Sequence, residues 1–291
     1  MENKFEKVMV LGSSQLAYKC AELARSYVSD VTVLELKVTE STILEKLCTK
    51  AQLPYQCVDK KKMTKLLEQE ELAALVVSAG NTYLFPKGII AKDNITIINW
   101  HNALLPCHKG RNAEVWAIYE GDTQTGVTWH RITEDVDAGD ILCQRALPVG
   151  ERVTAMQLYK KQCELGAAMF AEILEAVLAG RCEARPQEKP AVEQLHYSYE
   201  RPADGVLDLG WSMEKISRFL RAMDYGSLLL LGKMQVKYEG KNYSFYRYKI
   251  KESEETVKER EVTLTGNNLT IKEGNQVIVL RDLQEESEWM Y

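Results

Sequence analysis

The chain has 291 residues, with 37 Lys+Arg against 42 Asp+Glu for a formal net charge of −5, and it is 45% hydrophobic and 27% charged. That composition belongs to a folded globular protein and excludes a disordered, collagen-like or disulfide-scaffold chain. The length allows one large or two smaller domains with a core that needs no staples, and the acidic balance argues against a protein built mainly to hold a polyanion.

The seven cysteines (Cys20, Cys48, Cys57, Cys107, Cys143, Cys163, Cys182) are scattered, odd in number and without a CxxC pair. This fits reduced thiols better than a disulfide framework or a zinc site. The opening MENKFEKVMVLG passes from charged residues directly into an apolar strand, with no signal-peptide core. No run approaches the ~20 apolar residues of a membrane helix. A cytoplasmic protein with no membrane partner is expected.

The first half alternates strand and helix. The apolar run Val8 to Leu11 ends in Gly12-Ser13-Ser14, and a helical pattern follows through Leu16, Cys20, Leu23 and Ala24. The β-branched run Val31 to Leu36 predicts a second strand. Helices are predicted over Thr42 to Leu53 and Lys61 to Leu67, and strands over Ala74 to Ser78 and Ile95 to Ile98. Strands joined by crossover helices predict a Rossmann-like, mostly parallel sheet. Gly126 to Ile132 and Asp140 to Leu147 then read as an antiparallel pair at its edge. A long helix should run from an N-cap at Thr154 to Ala179, with Gly180 as its C-cap.

Three of the seven prolines (Pro186, Pro190, Pro202) fall in Ala184 to Pro202, which reads as a linker. An amphipathic helix is predicted over Ser212 to Met223, facing inward with Met213, Ile216, Phe219 and Leu220. Short strands follow at Lys233 to Tyr238, Tyr243 to Ile250, Val262 to Leu264, Leu269 to Lys272 and Val277 to Leu283. Turns at Glu239 to Asn242, Gly266 to Asn268 and Gly274-Asn275 separate most of them. The charged stretch Lys251 to Arg260 reads as an exposed loop. The expected fold is therefore α/β with a smaller, β-rich, OB-like barrel after it. The expected domains are 1–183, a linker at 184–204, and 205–291.

Ligands of open α/β sheets bind beyond the carboxyl ends of the strands. At the first such end Gly12-Ser13-Ser14 lacks GxGxxG, so a tight strand-to-helix turn is the better reading. The end of Ile95 to Ile98 is richer, because Asn99 and His101 lie two apart and project to one face. Together they can hydrogen-bond an oxygen that gains charge, while the histidine can also move a proton. The other reading is a structural histidine capping a turn. The loop Thr133 to Asp140 holds four acids and a glycine, and is either a solvated turn or the source of a carboxylate for the histidine. No HxH, HExxH or DxDxDG spacing occurs, so no metal is assigned.

The segments Asn99-Trp-His101-Asn-Ala-Leu-Leu-Pro106, Gly110, Trp116 to Gly121, Gly126-Val-Thr128 and Val136-Asp137-Ala-Gly139-Asp140 resemble the 10-formyltetrahydrofolate-dependent formyltransferases. That family includes methionyl-tRNA formyltransferase, sugar N-formyltransferases and formyltetrahydrofolate deformylase. The likeness is densest over residues 75 to 180. A weaker one, over Asp204 to Trp211 and Arg218 to Ala222, resembles the second domain of the tRNA and sugar enzymes.

The resemblance implies a catalytic triad of Asn99, His101 and Asp137. It also implies that 10-formyltetrahydrofolate is the formyl donor. The donor would lie between Tyr83-Leu84-Phe85-Pro86 and Asp135, Val136, Gly139 and Asp140, with Leu105 and Pro106 beside it. The implied reaction is formyl transfer to a primary amine on a small or carrier-linked acceptor, either an amino sugar nucleotide or an amino acid. The alternatives are methionyl-tRNA formyl transfer, hydrolysis to formate, and a non-catalytic binding module. Transfer to tRNA is disfavoured because the only dense basic run is Lys60-Lys61-Lys62 with Lys65, and only Lys19, Arg25 and Lys37 fall between Ser13 and Glu40. The last third is expected to meet the acceptor or to form a homodimer contact.

Overall fold

The computed structural model describes residues 3–36, 42–189 and 194–287. Lys37 and the linker residue Pro190 lie outside the described residues. The chain divides into two compact units. The first takes Met1–Gly110, Thr125–Leu147 and Lys160–Leu195, and the second Arg111–Gln124, Pro148–Tyr159 and His196–Tyr291.

The first unit is built on a seven-stranded sheet. Its strands are β1 (Lys7–Leu11), β2 (Asp30–Leu36), β3 (Tyr55–Val58), β4 (Ala74–Ser78) and β5 (Ile95–His101), followed past the two-residue strand β6 (Lys109–Gly110) by β7 (Gln124–Arg131) and β8 (Ile141–Pro148). The order is β3-β2-β1-β4-β5-β7-β8. The first five strands run parallel, and β7 pairs antiparallel with β5. This is the mostly parallel sheet with an antiparallel edge that the sequence predicts.

The crossovers are α1 (Gln15–Ala24), α2 (Ile43–Lys50), α3 (Lys60–Glu68) and the single turn α4 (Lys87–Ile90). Ser14, Thr42 and Asp59 start the first three, each accepting a hydrogen bond from a backbone N–H of the first turn. Strand β4 is buried at every position, as a central parallel strand covered on both faces must be. Leu11, Leu34, Met63, Leu67, Val76 and Ile97 share one core cluster beneath α3, and truncating one such side chain to Ala typically costs ~2–5 kcal/mol. A side chain at Gly12 would collide with the Ala79 carbonyl, so the turn after β1 packs directly on the end of β4.

The helix α6 (Ala155–Leu178) matches the predicted long helix. Thr154 caps it reciprocally with Gln157, as a capping box does. Gly180 takes a positive φ of 67° just beyond its end. The short strand β9 (Leu195–His196) lies beside β6. Part of the expected linker is thus structured, and Arg185 also pairs with Ile141.

The second unit contains α5 (Ala113–Glu120), α7 (Met213–Ala222) and six strands. These are β10 (Val206–Leu207), β11 (Met234–Tyr238), β12 (Lys241–Phe245), β13 (Arg247–Thr265), β14 (Asn268–Arg281) and β15 (Gln284–Glu286). Phe219, Leu220, Val236, Phe245, Ile271 and Leu280 lie in its core.

Three expectations are corrected here. Among the described residues the strands do not close into an OB-like barrel: β10-β11-β12-β15 form a four-stranded sheet and β13-β14 a separate ribbon. Lys251 to Arg260 is not a loop, because it lies within β13. Gly274-Asn275 is not a turn between strands but falls inside β14, with Gly274 opposite Val257 where the register shifts. Among the described residues no helix is long and apolar enough to cross a membrane.

Candidate active site

The site is built where β5 ends against β7. Asn99 stands directly opposite His130, and His101 opposite Thr128, in the antiparallel register. Asn99 and His101 share one face by the two-residue period of a strand, and their cross-strand partners share it too. Thr128 Oγ1 donates to the Ala103 carbonyl at 2.7 Å and accepts from Leu105 N–H at 3.2 Å. Gln144 Nε2 donates to the Leu105 carbonyl and to Thr128 Oγ1, at 2.8 and 2.9 Å. The chain leaving His101 is therefore held in place by β7 and β8.

Asp137 comes from the loop between β7 and β8 and has a φ of 48°, in the left-handed region that a non-glycine residue seldom enters. Its carboxylate collects nitrogen atoms from four directions. Gly110 N–H donates to Oδ2 at 2.8 Å, His101 Nδ1 lies 3.3 Å from Oδ2, Asn99 Nδ2 donates to Oδ1 at 3.3 Å, and His130 Nε2 lies 3.4 Å from Oδ1. Asn99 Nδ2 is also 3.0 Å from His130 Nε2. His130 Nδ1 sits 2.8 Å from the Arg131 carbonyl and donates to it. This arrangement fixes the Asn99 amide: its nitrogen must face the carboxylate, since the reverse orientation would set oxygen against oxygen.

The electrostatics follow from the packing. Burial pushes the Asp137 carboxyl up, but His101, His130 and the Gly110 amide outweigh it and hold the group well below the usual carboxylate range. Burial is also the largest influence on His101 and holds its imidazole below the ordinary value, while the Asp137 charge pulls the other way. His101 Nε2 lies 2.8 Å from the His108 carbonyl. Both ring nitrogens thus face acceptors, and a neutral ring serves one of them and has room for one more proton. The arrangement can supply N–H groups to a developing negative oxygen and can take up a proton from a nucleophile.

The three residues predicted as a triad converge in the structure. The loop residues predicted around them divide into two groups. Leu84 (78% exposed) and Val136 (45% exposed) present apolar side chains to solvent, and their loops are joined by Lys87 Nζ to Glu134 Oε2 at 2.5 Å. Asp135 and Asp140 are exposed as well. Tyr83 points the other way, buried in the core with its hydroxyl 2.8 Å from Thr64 Oγ1 and its ring edge-on to Phe85. Leu105 is buried, Pro106 follows it through a cis peptide bond, and Pro86 precedes α4. Gly139 has no room for a side chain, which would strike the Arg131 carbonyl.

Sequence reasoning missed two site residues. His130 lies in the predicted strand Gly126 to Ile132 and is not among the predicted site residues, yet the register opposite Asn99 brings it into contact with both Asn99 and Asp137. Gln187 falls in the predicted linker, yet its Nε2 donates to the carbonyls of Asp137 and Gly139, both at 2.8 Å. The β5–β7 pairing could have revealed the first, whereas nothing local reveals the second.

A family profile described as formyl transferase matches residues 26–174. GDP-perosamine N-formyltransferase of Brucella melitensis is 34% identical over 149 residues, covering 51% of this chain and 56% of that protein. Methionyl-tRNA formyltransferase of Porphyromonas gingivalis is 30% identical over 146 residues, covering 48% of this chain and 44% of that protein. The chain spans about half the length of the curated relatives it matches. An N-formyltransferase from Helicobacter canadensis, solved with folinic acid and dTDP-3-aminofucose, shares the fold with a TM-score of 0.72 at 14% identity, over 96% of this chain and 99% of that one.

Proposed function

Because the chain belongs to the formyl transferase family, we propose that it moves the formyl group of 10-formyltetrahydrofolate to the primary amine of a nucleotide-linked amino sugar. The observation that carries this reading is the meeting of Asn99, His101 and Asp137 around one buried carboxylate. The choice of acceptor draws on the Brucella relative, whose name specifies GDP-perosamine, and on the Helicobacter structure with its dTDP-aminosugar.

The loops fit the donor. Two exposed apolar side chains, Leu84 and Val136, stand on adjacent loops beside a polar site, which suits a flat heteroaromatic ring with a polar edge. Leu84, Phe85 and Pro86 would hold one side of it, Asp135, Val136, Gly139 and Asp140 the other, with Leu105 and Pro106 beneath. When bound, the donor supplies an electrophilic formyl carbon. Asn99 and His101 face the oxygen that gains charge as the amine adds, and such a donor is typically worth ~100–1000-fold in rate. Asp137 stays ionised and orients His101; the amine's proton would pass to the His101–Asp137 pair and from there to the folate nitrogen released as its bond to the formyl carbon breaks. No step requires a metal. Among the described residues no cysteine is in a disulfide, which supports a reducing, cytoplasmic setting.

The test is to incubate the protein with 10-formyltetrahydrofolate and a panel of amines, and to follow tetrahydrofolate. Release that depends on a nucleotide amino sugar and persists in chelator is expected. Formate release without any amine would overturn the transfer reading. A second reading, transfer to methionyl-tRNA, is favoured by the Porphyromonas relative. Efficient tRNA formylation that weakens steeply as salt rises would replace the first reading with it. Light scattering tests the expected homodimer.

A further inference from the structure

We propose that Gln187 is a positioning residue for the transfer site, holding the Asp137 turn in the conformation that points its carboxylate at His101. The proposal rests on the reading of the site given above and names a residue outside the triad on which that site depends. Asp137 occupies a left-handed backbone conformation, and a residue held there persists only where its surroundings impose it. Its side chain is secured by Asn99, His101, His130 and Gly110. Its backbone is secured from another segment. The two N–H groups of Gln187 reach two carbonyls of the same turn, Asp137 and Gly139, each at 2.8 Å.

That segment is itself fixed to the sheet. Arg185 exchanges backbone hydrogen bonds with Ile141, at 2.7 and 2.9 Å. Its Nη2 donates to Gln144 Oε1 at 3.0 Å, and Gln144 in turn donates to the Leu105 carbonyl. Two residues of one short stretch therefore bear on both walls of the site: Gln187 directly on the loop of Asp137, and Arg185 through Gln144 on the chain leaving His101. Gln187 Oε1 is buried and has no partner among the described residues. Only the N–H side of this amide is used, and rotating it would press its oxygen against two carbonyls. A buried amide oriented by its donors alone is accounted for by what those donors hold.

The test compares Gln187→Met, which keeps the length and loses the donors, with Gln187→Asn, which draws them back by one methylene. In both, kcat should fall about 10–100-fold, as displacements near 1 Å do, with KM for the acceptor nearly unchanged. The His101 imidazole, followed by NMR on histidine-labelled protein without substrate, should titrate at lower pH than in the wild type. The Asp137 charge favours the charged form of His101, with a smaller contribution from the His108 carbonyl, while the His130 and His108 side chains oppose it. The direction should match Asp137→Asn with a smaller size. A stability loss alone would leave this titration unchanged.

If both variants keep the wild-type kcat and His101 titration, the proposal falls. It falls equally if Gln187→Met fails to fold and Gln187→Asn behaves as wild type. If the titration shifts while the wild type formylates no amine, the reaction assigned above fails and the positioning role stands.

Discussion

Strands β5 and β13 both carry polar residues, and the two treat them in opposite ways. β5 is flanked by β4 and β7 and buries His101 completely enough that each ring nitrogen needs a partner. Among the described residues β13 pairs only with β14, and from Lys249 to Glu261 most of its side chains face water. A polar group on β5 would cost several kcal/mol if left unpaired, so the network around Asp137 has to close. An ion pair such as Arg152 with Glu252, on the ribbon's exposed face at 3.8 Å, is worth ~0–1 kcal/mol at most. The difference teaches where polarity is informative. On a buried strand end it marks chemistry, and on a two-stranded ribbon it marks solvation.

The largest effects should come from breaking the buried end. His101→Ala, Asp137→Ala and Asn99→Ala should each lose roughly 100–1000-fold or more in kcat, with circular dichroism and melting showing a folded protein. Retention of most activity by Asp137→Ala would remove the site from this strand end. His130→Ala should cost less, up to about 100-fold, because it frees the Asn99 amide to turn without removing a triad member. His108→Ala should cost less again, since the carbonyl that His101 uses is backbone and survives the change.

Much of this was legible in the sequence, and the reasons are local. β1, β4 and β5 are apolar runs that end at turns or polar pairs, and the two-residue spacing of Asn99 and His101 puts them on one face without any tertiary knowledge. The acids of 133–140 follow a strand whose neighbour could be guessed. The misses have physical causes as well. α5 is buried on nearly all sides, so it shows no 3.6-residue stripe. β3 has only four residues with two exposed, too few to alternate. β13 lacks a buried face over its charged middle, so neither a two-residue period nor a turn residue identifies it. Gln187 contacts Asp137 from 50 positions away, and no local pattern encodes such a contact. The interleaving of the two units through 111–124 and 148–159 likewise leaves no mark in composition.

The pH profile sharpens the comparison, because the buried end holds a depressed imidazole. His101 must begin neutral to receive a proton, and burial holds its pKa below the ordinary value of about 6.5. Activity should therefore persist below that value and fall as the pH drops through the His101 pKa, while Asp137 remains ionised throughout. In Asp137→Asn the carboxylate that favours the imidazolium is gone, so the acid limb of the residual kcat/KM should move to lower pH. An acid limb that moves up, or a wild-type limb above about 6.5, would contradict this assignment of the proton.

The smallest effects belong to the ribbon. Glu254, Glu255 and Lys258 are exposed on β13, where register shifts separate Glu252 from Val257 and Val257 from Glu261. Replacing them together by Gln removes charge without touching the second unit's core, which lies under Leu269, Ile271, Ile278 and Leu280 of the partner strand. Each change should shift stability by no more than about 0.5 kcal/mol, and kcat with an amino sugar nucleotide should stay at the wild-type level. Chemical denaturation and steady-state kinetics on the triple variant check this together. Loss of turnover at unchanged stability would mean that the ribbon meets the acceptor, and the contrast between a chemical strand end and a merely solvated ribbon would have to be abandoned.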